Sequence, residues 1–427
     1  MPVNSESGWT NRWIGSILVL LIPLSIYWPL GKPIAGTIIP LYVTPGLYLT
    51  DIVVILVILL GMVKISLKRY REKVVFNKKI LLLCIPLIFL VILAFLTSPQ
   101  AISPTLAKYT ALRWLLALSL YLALVSLDIS VKQMIEIFMI GLTIQAMVGF
   151  GQVIHQGPLN LPGELALNIN QSRAAVINIE GLSWLRAYGL TFHPNVLGGF
   201  LCSGLLLGLP LLERRLMRLE WWLIVLGLLL SFSRSAWLGA VVVLPPTIVW
   251  LYWRSPALRR PLLWTLIPSG ITVMIGIIFL KNQVFTHLNP LQTFSEFTSI
   301  SERGHLIAIA LVNIREHLLT GIGAGNFPLL MLAFETLDPP HYVHNVPLLL
   351  AAEVGILGGL IWYWLWIVPT FTLEHFWQSN KILIVVLIAT WFAWGSIGLW
   401  DSYPWALESG RLFSITLLAW ITKECIS

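Results

Sequence analysis

Long apolar runs recur along this chain of 427 residues, and they constrain its fold more than any other feature. The hydrocarbon core of a bilayer is about 30 Å thick, so roughly 17–25 apolar residues in a helix cross it. Only 11% of the residues are charged and the mean hydropathy is +0.85, whereas a soluble domain carries about 25% charge. We therefore predict an all-α polytopic membrane protein, a single transmembrane domain over residues 1–427, with about twelve transmembrane helices. The predicted spans lie near residues 13–31, 50–65, 80–97, 106–126, 132–154, 192–212, 220–233, 236–253, 262–280, 344–370, 382–400 and 410–422.

One pair of these spans allows two interpretations. The runs 220–233 and 236–253 meet at Ser233-Arg234-Ser235, and the first of them is short. They form either a tight hairpin of two helices or one broken helix.

The basic residues predict the orientation. Most of the 27 Lys and Arg residues lie in short loops and tails that alternate spans place on one side, which is the positive-inside pattern. We expect both termini to be cytoplasmic. The net charge of +8 is explained by these loops beside the lipid bilayer, so we expect no nucleic-acid partner.

Two of the predicted outer connections are long, over about residues 155–191 and 281–343, and long loops tend to carry function. All eight histidines except His375 fall on this outer side. In the second loop we predict an amphipathic helix that starts near Ser301 or Glu302 and ends at Gly321. Arg303 would then lie in the first turn, where the helix dipole disfavours a cation, so an anionic partner is expected there.

A glycine-rich segment and a His-Asn pair follow this helix. The segment Gly321-Ile322-Gly323-Ala324-Gly325-Asn326-Phe327 precedes His344-Asn345 at the start of an apolar run that contains Glu353. Ionisable groups at membrane depth are rare and usually functional. His344 is the first candidate for catalysis, because histidine titrates near neutral pH. Asn345 would orient His344 or a substrate. Glu353 falls on roughly the opposite face of the helix from His344, so we expect it to tie the helix to a neighbour through an Arg or Asn.

Other candidates precede these in the chain. Arg234 lies between two hydroxyl residues at a span end, where its guanidinium would bind phosphate oxygens or reach out to lipid headgroups. Pro194 favours a helix start, which would place Asn195, close in sequence to Arg186, near an anion-attracting helix N-terminus. Capping of this helix is the alternative role for the segment that contains Arg186 and Asn195.

Several catalytic motifs are absent from the sequence. The chain has no GxxxxGK[ST], no HExxH and no Asp-x-Asp. We therefore expect neither a P-loop ATPase nor a zinc protease, and no metal-bound nucleotide-sugar donor. No cofactor and no metal are predicted.

These segments resemble the O-antigen ligase and O-antigen polymerase superfamily of bacterial membrane glycosyltransferases. The resemblance covers about residues 180–360, and Pro347 departs from the usual pattern. The matching segments are Gly189–Asn195, Ser231–Gly239, Ser301–Arg303, Gly321–Phe327, His344-Asn345 and Glu353–Gly358.

The resemblance implies lipopolysaccharide biosynthesis at the periplasmic face of the bacterial inner (plasma) membrane. The donor would be a glycan on undecaprenyl diphosphate, and the acceptor lipid A-core for a ligase or another carrier-linked glycan for a polymerase. Arg234 and Arg303 would bind the diphosphate, and His344 would act as general base or assist the phosphate. The remaining candidate substrate-binding residues are Arg186, Asn195, Asn326, Asn345 and Glu353.

Two other functions are compatible with a polytopic membrane protein. A bicarbonate or small-solute transporter would show broken helices near the midplane and repeated halves. A non-catalytic scaffold of a polysaccharide export complex would tolerate the loss of Arg234, Arg303 and His344 together.

Overall fold

The computed structural model describes residues 6–31, 44–71, 78–165, 167, 174–179, 182–289, 294–332, 341–375 and 382–426. It is 77% helix and 4% strand. The α-helices in these residues are α1 (Glu6–Leu21), α2 (Leu49–Arg71), α3 (Lys78–Thr97), α4 (Pro104–Ser126), α5 (Val131–His155), α6 (Pro194–Gly208), α7 (Arg215–Ser231), α8 (Arg234–Arg254), α9 (Pro256–Phe279), α10 (Lys281–Leu288), α11 (Phe294–Glu316), α12 (Phe327–Leu332), α13 (Val346–Val354), α14 (Ile356–Ile367), α15 (Ile382–Gly398), α16 (Tyr403–Ala406) and α17 (Glu408–Ile426).

The chain is a multi-pass membrane protein. Each predicted span contains a helix, but helix length and composition do not establish the predicted count of about twelve. Shorter apolar helices cover Ile356–Phe371 and Ile382–Gly398. Within the described ranges, seven helices are long and apolar enough to cross a membrane, namely Leu49–Ser66, Leu82–Gln100, Pro104–Ser126, Val131–His155, Pro194–Leu211, Arg234–Arg254 and Pro256–Phe279.

Two short antiparallel hairpins accompany the helices, which an all-α prediction did not include. Strands β1 (Tyr27–Pro29) and β2 (Gly46–Tyr48) form the first pair. Strands β3 (Val176–Ile179) and β4 (Leu182–Leu185) form the second, inside the first predicted outer loop. The β3–β4 hairpin matters for function because Arg186 follows it directly.

The uncertain pair of spans is two separate helices. Helix α7 ends at Ser231 and α8 begins at Arg234, and the Ser233 side chain caps α8 by accepting from the backbone N–H of Ala236. Phe232, between them, has φ +47°. This left-handed conformation is uncommon for a residue with a side chain.

Two details of the predicted second loop and the following span are corrected. Helix α11 begins at Phe294 rather than near Ser301, because no Gly or Pro interrupts the chain between these positions. Arg303 is therefore in the body of the helix, and the argument from the helix dipole does not apply to it. The span predicted over 344–370 is divided at Gly355, whose φ is +84°.

The helices approach closely where a glycine of one helix faces a side chain of its neighbour. A methyl group added at Gly204 of α6 would lie 2.5 Å from Leu142 of α5, and one at Gly227 of α7 would lie 2.7 Å from Ala146. Small residues of this kind let membrane helices pack by van der Waals contact without a hydrophobic driving force between them. The aromatic rings of Phe138 and Phe413 stack at 5.2 Å in the same core.

A buried ion network joins α2, α4 and α17. The Arg113 Nη2 atom lies 2.7 Å from Asp51 Oδ1 and 2.6 Å from Glu408 Oε1. Arg411 also pairs with Glu408 and donates to the Trp405 carbonyl oxygen at 3.0 Å. The charges of two cations and two carboxylates thus balance, and these four side chains fix the segment that leads into α17.

We expect Arg113→Ala to lower the free energy of unfolding by about 3–5 kcal/mol, because it leaves buried carboxylates without their cation. Unfolding of the detergent-solubilised protein by heat or denaturant measures the loss. Arg214→Ala is the matched control: Arg214 pairs with Glu136 at 2.9 Å but its side chain is 57% exposed, so its loss should be below about 1 kcal/mol. Equal destabilisation by the two changes would contradict a structural role for the network.

Candidate active site

A cavity of about 320 Å³ lies where several helix ends meet. Its walls come from the starts of α6 and α8, the end of α7, α10, one face of α11, and the segments just before α13 and α16. Of the eight predicted site residues it brings together these five: Arg186, Asn195, Arg234, Arg303 and His344. The other three lie outside its lining.

His344 is paired with Asp401 in this cavity. The His344 Nδ1 atom lies 3.2 Å from Asp401 Oδ1, which also accepts from the backbone N–H of Ser402 at 2.9 Å. Burial alone would raise the pKa of Asp401, but the hydrogen bond and charge of His344 and the charge of Arg303 hold that pKa well below its usual range. An ionised carboxylate can only accept, so we assign the proton between the two groups to Nδ1. Nε2 of a neutral His344 then carries a lone pair, and the side chain is 30% exposed.

Asn195 links this pair to Arg186. Its Nδ2 donates to Asp401 Oδ2 at 2.9 Å, and its Oδ1 accepts from Arg186 Nη2 at 2.6 Å. The two bonds fix which way the amide faces. Asn195 is the second residue of α6, which begins at Pro194 as predicted. The start of α6 therefore sets the orientation of the carboxylate behind His344.

His193 caps α6 and stays neutral. Its Nδ1 accepts from the backbone N–H of Asn195 at 3.1 Å. Burial and the nearby charge of Arg186 lower the pKa of His193 to about 3. A neutral imidazole with Nδ1 as acceptor carries its proton on Nε2, so His193 contributes a donor rather than a second base.

Arg186 binds the end of α7 as well as Asn195. Its Nε donates to the Ser231 carbonyl oxygen at 2.9 Å, and its Nη2 donates to that of Phe232 at 3.1 Å. A cation at a helix C-terminus satisfies carbonyl groups that have no partner within the helix. Arg186 thus holds the α7–α8 turn while it adds positive charge to the cavity wall.

Arg234 and Arg303 approach the cavity from different elements. Arg234 is the first residue of α8, and its Nη1 donates to the His287 carbonyl oxygen at 3.2 Å. Arg303 is half-buried on the face of α11 that also presents Leu306 and Ile309 to the cavity. No hydrogen bond or ion pair holds the Arg303 guanidinium within the part of the chain that the structure describes.

The cavity therefore favours an anion beside a base. Three guanidinium groups line it, counting the described residues alone, and the N-termini of α6 and α8 add the positive ends of two helix dipoles. Among the described residues, no cluster of three His, Cys, Asp or Glu side chains has the geometry to hold a metal ion. Guanidinium groups and helix ends suit a phosphate group, and the lone pair of His344 suits a hydroxyl proton.

The three remaining predicted residues bind the backbone. Asn345 caps α13 through Leu348 N–H at 2.8 Å and donates to the Leu399 carbonyl oxygen at 2.9 Å. Asn326 accepts from Ser103 N–H at 2.7 Å. The Asn345 contacts join the start of α13 to the segment after α15, and the Asn326 contact joins the glycine-rich segment to the start of α4.

Glu353 ties its helix to a neighbouring segment as predicted, but its hydrogen-bond partner is the backbone of the glycine-rich segment rather than an Arg or Asn side chain. Its Oε1 accepts from Phe327 N–H at 3.2 Å, and its carbonyl oxygen accepts from Gly323 N–H at 2.7 Å. Gly321 has φ +59°, and a Cβ there would lie 2.4 Å from the Glu353 carbonyl group. The glycines let this segment close over the end of α13, just before the division at Gly355.

Asp401 was missed by the sequence analysis. The available signal was a carboxylate directly after the apolar run 382–400, on the same predicted side as His344. Other lining residues that were not singled out as candidates are His193, His287, Glu302, His305, His341, Tyr342 and Tyr403.

Part of the chain matches a known protein family. The family model described as O-antigen ligase matches residues 220–363. This range includes Arg234, Arg303 and His344, whereas Arg186 and Asp401 lie outside it. No curated protein matches the chain.

Proposed function

We propose that this chain, which belongs to the O-antigen ligase superfamily, transfers a glycan from undecaprenyl diphosphate to an acceptor at the periplasmic face of the inner membrane. The observation that carries the proposal is the His344–Asp401 pair, which shares one cavity with the guanidinium groups of Arg234 and Arg303. A lipid diphosphate is an anion that such groups recognise. The acceptor hydroxyl is a weak nucleophile that needs a base.

Arg303 and Arg234 bind the diphosphate in this proposal. Arg303 has no bond to break with a described side chain before it meets the anion. Arg234 adds its charge at the N-terminus of α8, whose backbone N–H groups also attract phosphate oxygens. Their largest contribution is to stabilise the charge that grows on the diphosphate as it leaves.

His344 acts as the general base. As the acceptor oxygen bonds to the anomeric carbon, its proton moves to His344 Nε2. The bond between that carbon and the phosphate oxygen breaks, and its electron pair leaves with the diphosphate. Asp401 stabilises the imidazolium that forms. A single displacement of this kind inverts the configuration at the anomeric carbon, and a diphosphate leaves readily enough that the proposal assigns no cofactor.

We expect Asp401→Asn to lower the rate of transfer by about 10⁴-fold, the effect of neutralising the carboxylate behind a catalytic histidine. The amide neither stabilises the imidazolium nor fixes the proton on Nδ1. Initial rates in membranes with equal amounts of protein measure the loss. A normal rate for Asp401→Asn would remove Asp401 from the mechanism.

A complemented deletion strain tests the proposed function. Surface polysaccharide and the undecaprenyl-linked pool would be compared after complementation with wild type or His344→Ala. Full-length glycan held on the carrier, with bare lipid A-core, identifies a ligase. Single repeat units on the carrier identify a polymerase. A glycan profile that the deletion itself leaves unchanged would overturn glycan transfer and favour transport of a small solute.

A further inference from the structure

The turn at Phe232 has an unusual backbone conformation and lies beside the cavity. Its φ of +47° is left-handed, and such residues persist where the surroundings hold them, often at functional sites. The Phe232 side chain is fully buried with Ile177 and Val284 in a small apolar cluster. The turn leads directly into Arg234, so its conformation sets where the Arg234 side chain begins.

Two side chains hold this turn through one carbonyl group. The Phe232 oxygen accepts from Arg186 Nη2 at 3.1 Å and lies 2.7 Å from Nε2 of His287. A carbonyl oxygen can only accept, so His287 donates through Nε2–H. That nitrogen is therefore occupied by its hydrogen bond to the turn.

The contact between α10 and the turn is reciprocal. His287 donates from its side chain to Phe232, and its own carbonyl oxygen accepts from Arg234 Nη1 at 3.2 Å. The His287 side chain is 4% exposed, and its ring lies 6.0 Å from that of Phe232. One residue of α10 thus contacts both the turn that carries Arg234 and the guanidinium group of Arg234.

We propose that His287 is a positioning residue for glycan transfer: it fixes the α7–α8 turn and holds the Arg234 guanidinium toward the leaving diphosphate. The proposal rests on the function proposed above. In this role His287 is assigned no part in the bonds that form and break. It acts through Arg234, so replacing His287 should lower the rate of transfer only while Arg234 is present.

Three variants and a double variant test this role. His287→Ala should lower the rate by about 10- to 100-fold, because a displacement of about 1 Å in a positioning group costs on this order. His287→Gln should restore part of the rate, since its amide N–H can also donate to the Phe232 oxygen. Arg234→Ala and the double variant with His287→Ala should have nearly equal rates, because residues that act through one another are not additive.

His317→Ala is the matched control. His317 is an exposed histidine just beyond the end of α11, and its variant should transfer at the wild-type rate. The amount of protein in the membrane and its thermal unfolding would be measured for every variant. If His287→Ala does not accumulate, the Gln variant and its double with Arg234→Ala carry the same comparison.

The outcomes separate this inference from the proposed function. Independent, multiplicative losses from His287 and Arg234, or no loss from His287→Ala while His344→Ala is inactive, would overturn the positioning role and leave glycan transfer intact. Normal transfer rates for both His344→Ala and Arg303→Ala would instead overturn the assignment of these residues to the active site, and the absence of transfer by wild type would overturn the proposed function. The positioning role of His287 would be supported by three results together: a lower rate for His287→Ala, partial rescue by His287→Gln, and no further loss of rate in the double variant.

Discussion

Glycan transfer is expected to fall by about 10²–10⁴-fold when His344 is replaced by alanine. Asp401 holds the Nδ1 side of the ring at 3.2 Å, so Nε2 is the atom able to accept the proton of the acceptor hydroxyl. Alanine removes that base and leaves Asp401 without the donor that partly balances its charge. The loss should appear in the maximal rate more than in the apparent affinity for the lipid-linked donor.

The measurement is the initial rate with donor and acceptor in excess, in membranes that hold equal amounts of each protein. His155→Ala, which replaces an exposed histidine at the end of α5, serves as the control with a normal rate. A normal rate for His344→Ala would mean that His344 is not the base.

Arg303→Ala is expected to lower the maximal rate by about 10²–10³-fold, the effect of removing one preorganised donor to a developing anion. Arg303 lacks a hydrogen bond or ion pair with any described residue, so its charge is available to the substrate. Arg303→Lys should recover only part of the rate, because lysine keeps the charge but not the two-pronged hydrogen bonding of a guanidinium.

The control for this prediction lies on the same helix. Arg315 is an exposed residue near the end of α11, and Arg315→Ala should transfer normally. Comparing the two variants separates a specific anion contact from a general loss of positive charge on α11. Equal rates for Arg303→Ala and Arg315→Ala would show that Arg303 does not contact the diphosphate.

The resemblance to the O-antigen ligase and polymerase superfamily predicted that Arg234, Arg303 and His344 act on one substrate, and all three line one cavity in the structure. Alternating spans bring every second loop to the same side of a bilayer, so residues far apart in sequence gather at one end of a bundle. Asp401 could not be predicted in the same way. Its pairing with His344 depends on how the end of α15 packs beside the start of α13, and a single Asp at a span end has no distinguishing pattern.

Other differences between the sequence predictions and the structure come from residues whose side chains can serve either of two purposes. Asn345 and Asn326 were predicted as substrate-binding residues, and the structure has their amides bound to backbone groups. Asparagine at a helix start satisfies orphan N–H groups with the same atoms that would bind a ligand. Ser301 and Glu302 likewise resemble a helix start, yet the helix continues through them from Phe294.

The most direct test reconstitutes the purified protein in lipid vesicles with a glycan on undecaprenyl diphosphate and a lipid A-core acceptor. Released undecaprenyl diphosphate and glycosylated acceptor would be quantified for wild type, His344→Ala and Arg303→Ala. We expect wild type to form both products in equal amounts, without added nucleotide, and both variants to form almost none. Equal product formation by wild type and the two variants would contradict it.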